Sequence, residues 1–205
     1  MKKTLYAITV LICIIIVLDS CVSSKESTGK PDNEYLKNDA GLCFVQMNDG
    51  TTMYYANLKL VTGILKTPYL LADGKVKINS NDIKAYQDAI HYAVSQKTFC
   101  CGRLSYIAKG TLPGFAVRVI KGNLNVYVKK YINGPQVIDE YFLQSGTDGK
   151  IFAYSTETMQ DLVKNNKEAY NYFNSFPNKK TKKNMPKRLL VTADLYNNGQ
   201  LNAKN

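Results

Sequence analysis

Residues 115–154 read FAVRVIKGNLNVYVKKYINGPQVIDEYFLQSGTDGKIFAY, and this stretch sets the fold class. Phe115 to Ile120 and Leu124 to Tyr131 are β-rich runs on either side of Gly122-Asn123, a hairpin signature. In the second run Leu124, Val126 and Val128 alternate with Asn125, Tyr127 and Lys129, the period of two that a half-buried strand requires. Val137 to Leu143 and Ile151 to Tyr154 then flank a turn at Ser145 to Gly149. Loops this short leave no room for crossover helices, so the strands form an antiparallel meander rather than βαβ units.

Upstream the same grammar repeats. Leu42 to Met47 and Thr51 to Val61 flank Asn48-Asp49-Gly50, where Asp-Gly suits a type I′ turn. Tyr69 to Ala72 and Lys75 to Ile78 flank Asp73-Gly74, and Ile90 to Ser95 is a further strand. Downstream the character changes. Ser155 or Thr156 caps a helix with apolar positions at Met159, Leu162, Val163, Ala169, Tyr170 and Phe173, and Pro177 lies past its end. Lys179 to Lys183 is a charged linker, and Pro186 opens a second helix, Lys187 to Tyr196, stopped by Asn197-Asn198-Gly199. The expected fold is α+β, mainly β: an antiparallel meander of about nine strands, as a bent sheet or open barrel, with two carboxyl-terminal helices packed on it.

The amino terminus carries an address. Lys2 and Lys3 precede an apolar run of 14 residues, Leu5 to Leu18, interrupted only by Tyr6 and Thr9. That is short of the roughly 20 apolar residues a membrane-spanning helix needs, and a charged n-region with such a run describes a secretory signal. Leu18-Asp19-Ser20-Cys21 resembles the lipobox of bacterial lipoproteins, although Asp19 stands where a small or uncharged residue is usual. The resemblance implies a signal peptide at 1–20 and a diacylglyceryl thioether, with further acylation, on Cys21; two or more acyl chains suffice for stable anchoring. Residues 22–39, VSSKESTGKPDNEYLKND, lack any apolar period and read as a flexible tether. They hold a β-rich domain at 40–154 and the helices at 155–205 near the membrane. Val22, rather than aspartate, follows the anchor, which points to the outer membrane in a two-membrane envelope. LNVYVKKYI, YFLQSGTDGKIFAYS and DLVKNNKEAYNYF, between Leu124 and Phe173, also resemble uncharacterised small exported proteins of the Bacteroidota, a likeness that implies no activity and no site residues.

The signal carries Lys2, Lys3 and Asp19, a net +1, so the remainder holds +10 of the formal +11. In an exported protein such a charge suits lipid headgroups, anionic polysaccharide or an acidic protein rather than nucleic acid. Lys179, Lys180, Lys182, Lys183, Lys187 and Arg188 are the densest basic cluster, a candidate contact with an anionic surface. Tyr54, Tyr55, Tyr127, Tyr131 and Tyr141 fall on strands, where they serve packing or line a groove for sugar or peptide.

Catalytic signals are sparse. His91 is the only histidine, so no zinc motif exists, and no metal or cofactor is implied. Cys43, Cys100 and Cys101 are the cysteines of the body; they fit buried thiols, a vicinal disulfide or one bridge to Cys43. Asp139 and Glu140 are adjacent on a strand and so point to opposite faces. The function expected is that of a lipid-anchored binding or envelope-structural module. The alternative is a small hydrolase or thiol-dependent enzyme using His91 with Cys100, Cys101 or an aspartate. For the anchor, Cys21→Ala should abolish metabolic labelling by a clickable fatty acid; equal labelling of the variant would refute lipidation at Cys21.

Overall fold

In a computed structural model, residues 43–63, 67–99, 108–176 and 181–202 are described. The fold is mainly β, as expected from the sequence: a curled, antiparallel half-barrel of eight strands, a separate three-stranded sheet, and three helices near the carboxyl terminus. The strands are β1 (Cys43–Met47), β2 (Thr52–Tyr55), β3 (Leu58–Val61), β4 (Tyr69–Ala72), β5 (Val76–Asn79), β6 (Ile83–Gln87), β7 (Tyr92–Ser95), β8 (Phe115–Ile120), β9 (Leu124–Asn133), β10 (Gln136–Ser145) and β11 (Ile151–Ala153). The large sheet runs β11-β10-β9-β8-β7-β6-β1-β2, and β3-β4-β5 form the small one. The helices are α1 (Thr156–Val163), α2 (Lys167–Asn174) and α3 (Thr181–Asn202). None is long and apolar enough to cross a membrane among the described residues.

Two strand readings change. Thr51 to Val61 is not one element: it divides at Ala56-Asn57, so that β2 stays in the large sheet and β3 starts the small one. Ile83 to Gln87 is a strand that its mixed sequence, IKAYQ, did not announce; it pairs with both β1 and β7 and makes the large sheet continuous. The Asn48-Asp49-Gly50 turn also differs from type I′. Only Gly50 has a positive φ, 93°, and Met47 N–H donates to the Thr51 carbonyl at 2.8 Å. That is the three-residue hairpin with a left-handed residue at its end. At the second hairpin both Asp73 and Gly74 have positive φ, 50° and 68°, as type I′ demands.

The helical region is three helices, not two. The first breaks after Val163 because Asn166 starts a new one, its side chain accepting from the Ala169 N–H at 3.0 Å. Ser155 is the cap of α1, accepting from Thr158 N–H at 3.1 Å. The supposed linker is partly helical, since α3 begins at Thr181; Pro186 lies inside it, where the N–H it lacks removes one helix bond. Nor does Asn197-Asn198-Gly199 end the helix, which continues to Asn202. These residues have other uses: Gly199 packs so closely on the Asn166 cap that a Cβ there would lie 2.6 Å from its Nδ2.

The core lies between one face of the large sheet, the small sheet and the helices. Val45, Ile83, Phe115, Val126 and Leu143 enter it from the large sheet, Leu70 and Ile78 from the small one, and Met159, Phe173 and Leu189 from the helices. Asn197 fixes α3 to the sheet: its Oδ1 accepts from Leu124 N–H at 2.8 Å and its Nδ2 donates to the Leu124 carbonyl at 3.0 Å. Gly122 makes room, for a Cβ there would lie 2.4 Å from Asn197 Cγ. Truncating Asn197 strands both backbone groups of Leu124 in a buried place. Asn197→Ala should therefore cost about 2–4 kcal/mol in chemical denaturation. Gly122→Ala should be destabilising alone and better tolerated in the Asn197→Ala background; equal costs in both backgrounds would refute the close approach.

Candidate functional site

Alternation sends the other half of each strand to the opposite face of the large sheet. There Ala85, Val94, Ala116, Tyr127, Phe142 and Ile151 form a second, smaller apolar cluster. Beside it opens a cleft of about 680 Å³. Strict alternation would not produce its lining. In β6, Gln46 pairs with Ala85 and Met47 with Ile83, so Lys84 is an extra residue; the bulge brings both Lys84 and Ala85 to the cleft while Ile83 and Tyr86 stay in the core. In β8, Arg118 pairs with Tyr127 and Ile120 with Val126, leaving Val119 extra. Val119 and Ile120 both pack on the core, and Lys121 returns to the cleft beside Arg118. Two bulges thus deliver two of the four cations. Lys150, from the β10–β11 turn, is the fourth.

The turn is held by amides from the cleft floor. Tyr127 Oη donates to Gln144 Oε1 at 2.6 Å, and Gln144 Nε2 donates to the carbonyls of Thr147 and Gly149 at 3.1 and 2.8 Å. Asn125 Nδ2 donates to the Gly146 carbonyl at 2.8 Å. Across the cleft, the Arg118 guanidinium lies 4.1 Å from the centre of the Tyr92 ring. Phe44 stands 6.2 Å from Tyr92 and 6.2 Å from Tyr54, so the rings continue as a row. This row lines a second lobe of about 420 Å³, which shares Phe44, Gln46, Gln87 and Tyr92 with the first and adds Thr52 and Tyr54. Among the described residues of the lining, Lys84, Arg118, Lys121 and Lys150 stand beside a single carboxylate, Asp148, a balance that favours anions. Among the described residues the lining contains neither histidine nor cysteine; its ionisable side chains are the four cations, Tyr92, Tyr127 and Asp148.

The residues singled out in the sequence lie elsewhere, with two exceptions. Tyr127 and Tyr54 do line the cleft lobes, whereas Tyr55 and Tyr141 pack on the core and Tyr131 stacks with Lys129, whose Nζ lies 5.1 Å from its ring centre. Burial and then the Asp139 charge push the Tyr141 hydroxyl up to about 12. Asp139 and Glu140 point apart and meet Lys130 and Lys129, at 3.9 and 2.9 Å. Lys187 is exposed on α3, but Arg188 is not part of a solvent-facing cluster: it is 3% exposed, its guanidinium 3.7 Å over the Phe173 ring, where it ties α3 to α2. Cys21, Lys179 and Lys180 lie outside the described residues, as do Cys100 and Cys101 and the side chains of Lys182 and Lys183. Cys43 is buried with a free thiol. Among the described residues, no three His, Cys, Asp or Glu side chains gather as a metal-binding group.

His91 precedes β7 instead of lying within it, in the turn after β6, with Nδ1 3.6 Å from Asp88 Oδ1. The carboxylate is engaged by the turn: Ile90 and His91 N–H donate to Oδ1 at 2.8 and 2.6 Å. Burial raises the Asp88 pKa, but His91 and these two amides outweigh it and the net shift is downward. A lowered native pKa means stabilisation that is full above the ordinary carboxylate value of about 4 and is lost as pH falls through the native value. Asp88→Ala should thus cost about 1–2 kcal/mol at pH 7, with the difference from the parent shrinking below about pH 4. A cost independent of pH would show that the charge is immaterial. No family model, curated protein or solved structure matches the chain.

Proposed function

We propose that the chain is an exported lipoprotein of the cell envelope, anchored through Cys21, whose folded body is a non-enzymatic binding module with the cationic cleft as its anion site. The observation that carries the binding role is the convergence of Lys84, Arg118, Lys121 and Lys150, from two strands and two turns, on one cleft with a single acid among its described residues. Charges gathered from distant sequence positions onto one concavity raise the local concentration of an oppositely charged ligand. The volume lies within the roughly 300–1,000 Å³ usual for small-ligand sites. The address rests on the lipobox and the tether at 22–39, which sets the module a short distance from the membrane.

Inorganic polyphosphate tests the cleft, titrated calorimetrically into the full chain in detergent. Replacing Lys84, Lys121 and Lys150 together by Gln should weaken binding at least about tenfold, or about 1.4 kcal/mol. Removing the same charge at exposed Lys59, Lys75 and Lys109 should change it less than about twofold. Equal losses in the two triple variants would refute the cleft as the anion site.

A further inference from the structure

Beyond anion binding, we infer that the ligand is an acidic oligosaccharide, its sugar rings on the aromatic lobe and its acidic groups among the cations. The inference rests on the anion-site reading and adds a second observation, the row of rings Tyr54, Phe44 and Tyr92 running from solvent to Arg118. Tyr54 is 66% exposed at the open end of this row, on β2, the edge strand of the large sheet. An inorganic anion has no use for such a surface, whereas the C–H faces of pyranose rings stack on aromatic faces and leave their hydroxyls at the edges. Gln46 and Gln87, common to both lobes, lie where those edges would fall. A primary amide both donates and accepts hydrogen bonds, which matches a hydroxyl that does the same.

The arrangement also has polarity along its length. Among the described residues the outer lobe is lined by rings, amides and Thr52 and carries no charge, while all four cations and Asp148 belong to the inner cleft. A chain with neutral and acidic units, or a uronic acid with its carboxylate on one edge, fits this gradient better than a uniformly charged polymer. Single-stranded nucleic acid also combines stacking with charge, but it presents a phosphate at every unit and calls for cations beside every ring. Here the row of Phe44, Tyr54 and Tyr92 meets a guanidinium at its inner end, that of Arg118 against Tyr92, and the described residues around its outer end, Thr52, Gln46 and Gln87, are uncharged.

The test uses the full chain in detergent with uronate-, sulfate- and sialate-bearing oligosaccharides. Each is paired with its esterified, desulfated or desialylated counterpart, beside polyphosphate and an oligodeoxythymidylate. At least one acidic oligosaccharide should bind at least about tenfold more tightly than its neutral counterpart. Tyr54→Ala should weaken that binding at least fivefold, Tyr54→Phe should restore it, and polyphosphate affinity should be the same in both variants. Acidic sugars that bind no better than their counterparts, or that ignore Tyr54→Ala, would overturn the glycan inference while polyphosphate binding keeps the anion site standing. Failure of every anion to bind removes both. Oligodeoxythymidylate binding more tightly than every oligosaccharide would overturn the inference in favour of nucleic acid.

Discussion

The ladder between β9 and β10 is the constraint on which the rest of the structure depends. Ten residue pairs run from Asn133–Gln136 at the hairpin to Leu124–Ser145 at the far end, the longest pairing in the molecule. From Leu124 to Lys129 every residue of β9 is buried, so this strand must be covered on both faces. The two coverings differ. On one side Leu124, Val126 and Val128 meet the main core and α3; on the other Tyr127 meets Phe142 and the second cluster. An antiparallel sheet commonly leaves one face to water. Here the second face is half enclosed, and the cleft lies where enclosure stops. Further along the same face, Lys129 is buried to 1% exposure yet paired with Glu140, which limits the cost of removing its charge from water.

Regularity builds the sheet, and departures from it build the site. If β6 and β8 kept a strict period of two, the side chains past each bulge would swap faces. Lys121 would then point into an apolar core and Ile120 into the cleft. The extra residues Lys84 and Val119 prevent this by resetting the alternation once in each strand. Their energetic cost is local, a disrupted ladder position each, and it falls away from the β9–β10 pairing that carries the fold.

This explains what was legible in the sequence. Elements with simple alternation and strong turn signals, such as β4, β5, β9 and β10, could be read from residues alone, and so could the mainly β class. β6 could not, because its bulge replaces alternation with IKAYQ, in which the lysine and the alanine share a face. The single long helix at 155–177 was a reasonable reading of apolar spacing. It failed because Asn165-Asn166 supports a capping geometry as readily as a helical one, and tertiary contacts to α3 favour the cap. The cleft was illegible for a related reason. Its cations stand at 84, 118, 121 and 150, spread over more than sixty residues, and form no local motif; only topology assembles them. Density of charge along the chain pointed instead to 179–188, where Arg188 proves to be an internal stacking residue.

Separation of the two faces has a functional corollary. The residues that hold α3, Asn197 and Gly122, act at the β8–β9 connection, one or two residues from Lys121 and Asn125 of the cleft. Asn125 itself accepts from Gly122 N–H at 3.2 Å and donates to the Gly146 carbonyl, so one short turn links the helix clasp to the loop bearing Asp148 and Lys150. Elsewhere, cleft and core side chains alternate on shared strands and point to opposite faces. At this turn hydrogen bonds join the two. The cation pair Lys121 and Lys150 is therefore positioned by the element that closes the fold, whereas Phe44, Tyr54 and Tyr92 sit on β1, β2 and β7, at the other end of the large sheet from β9 and β10.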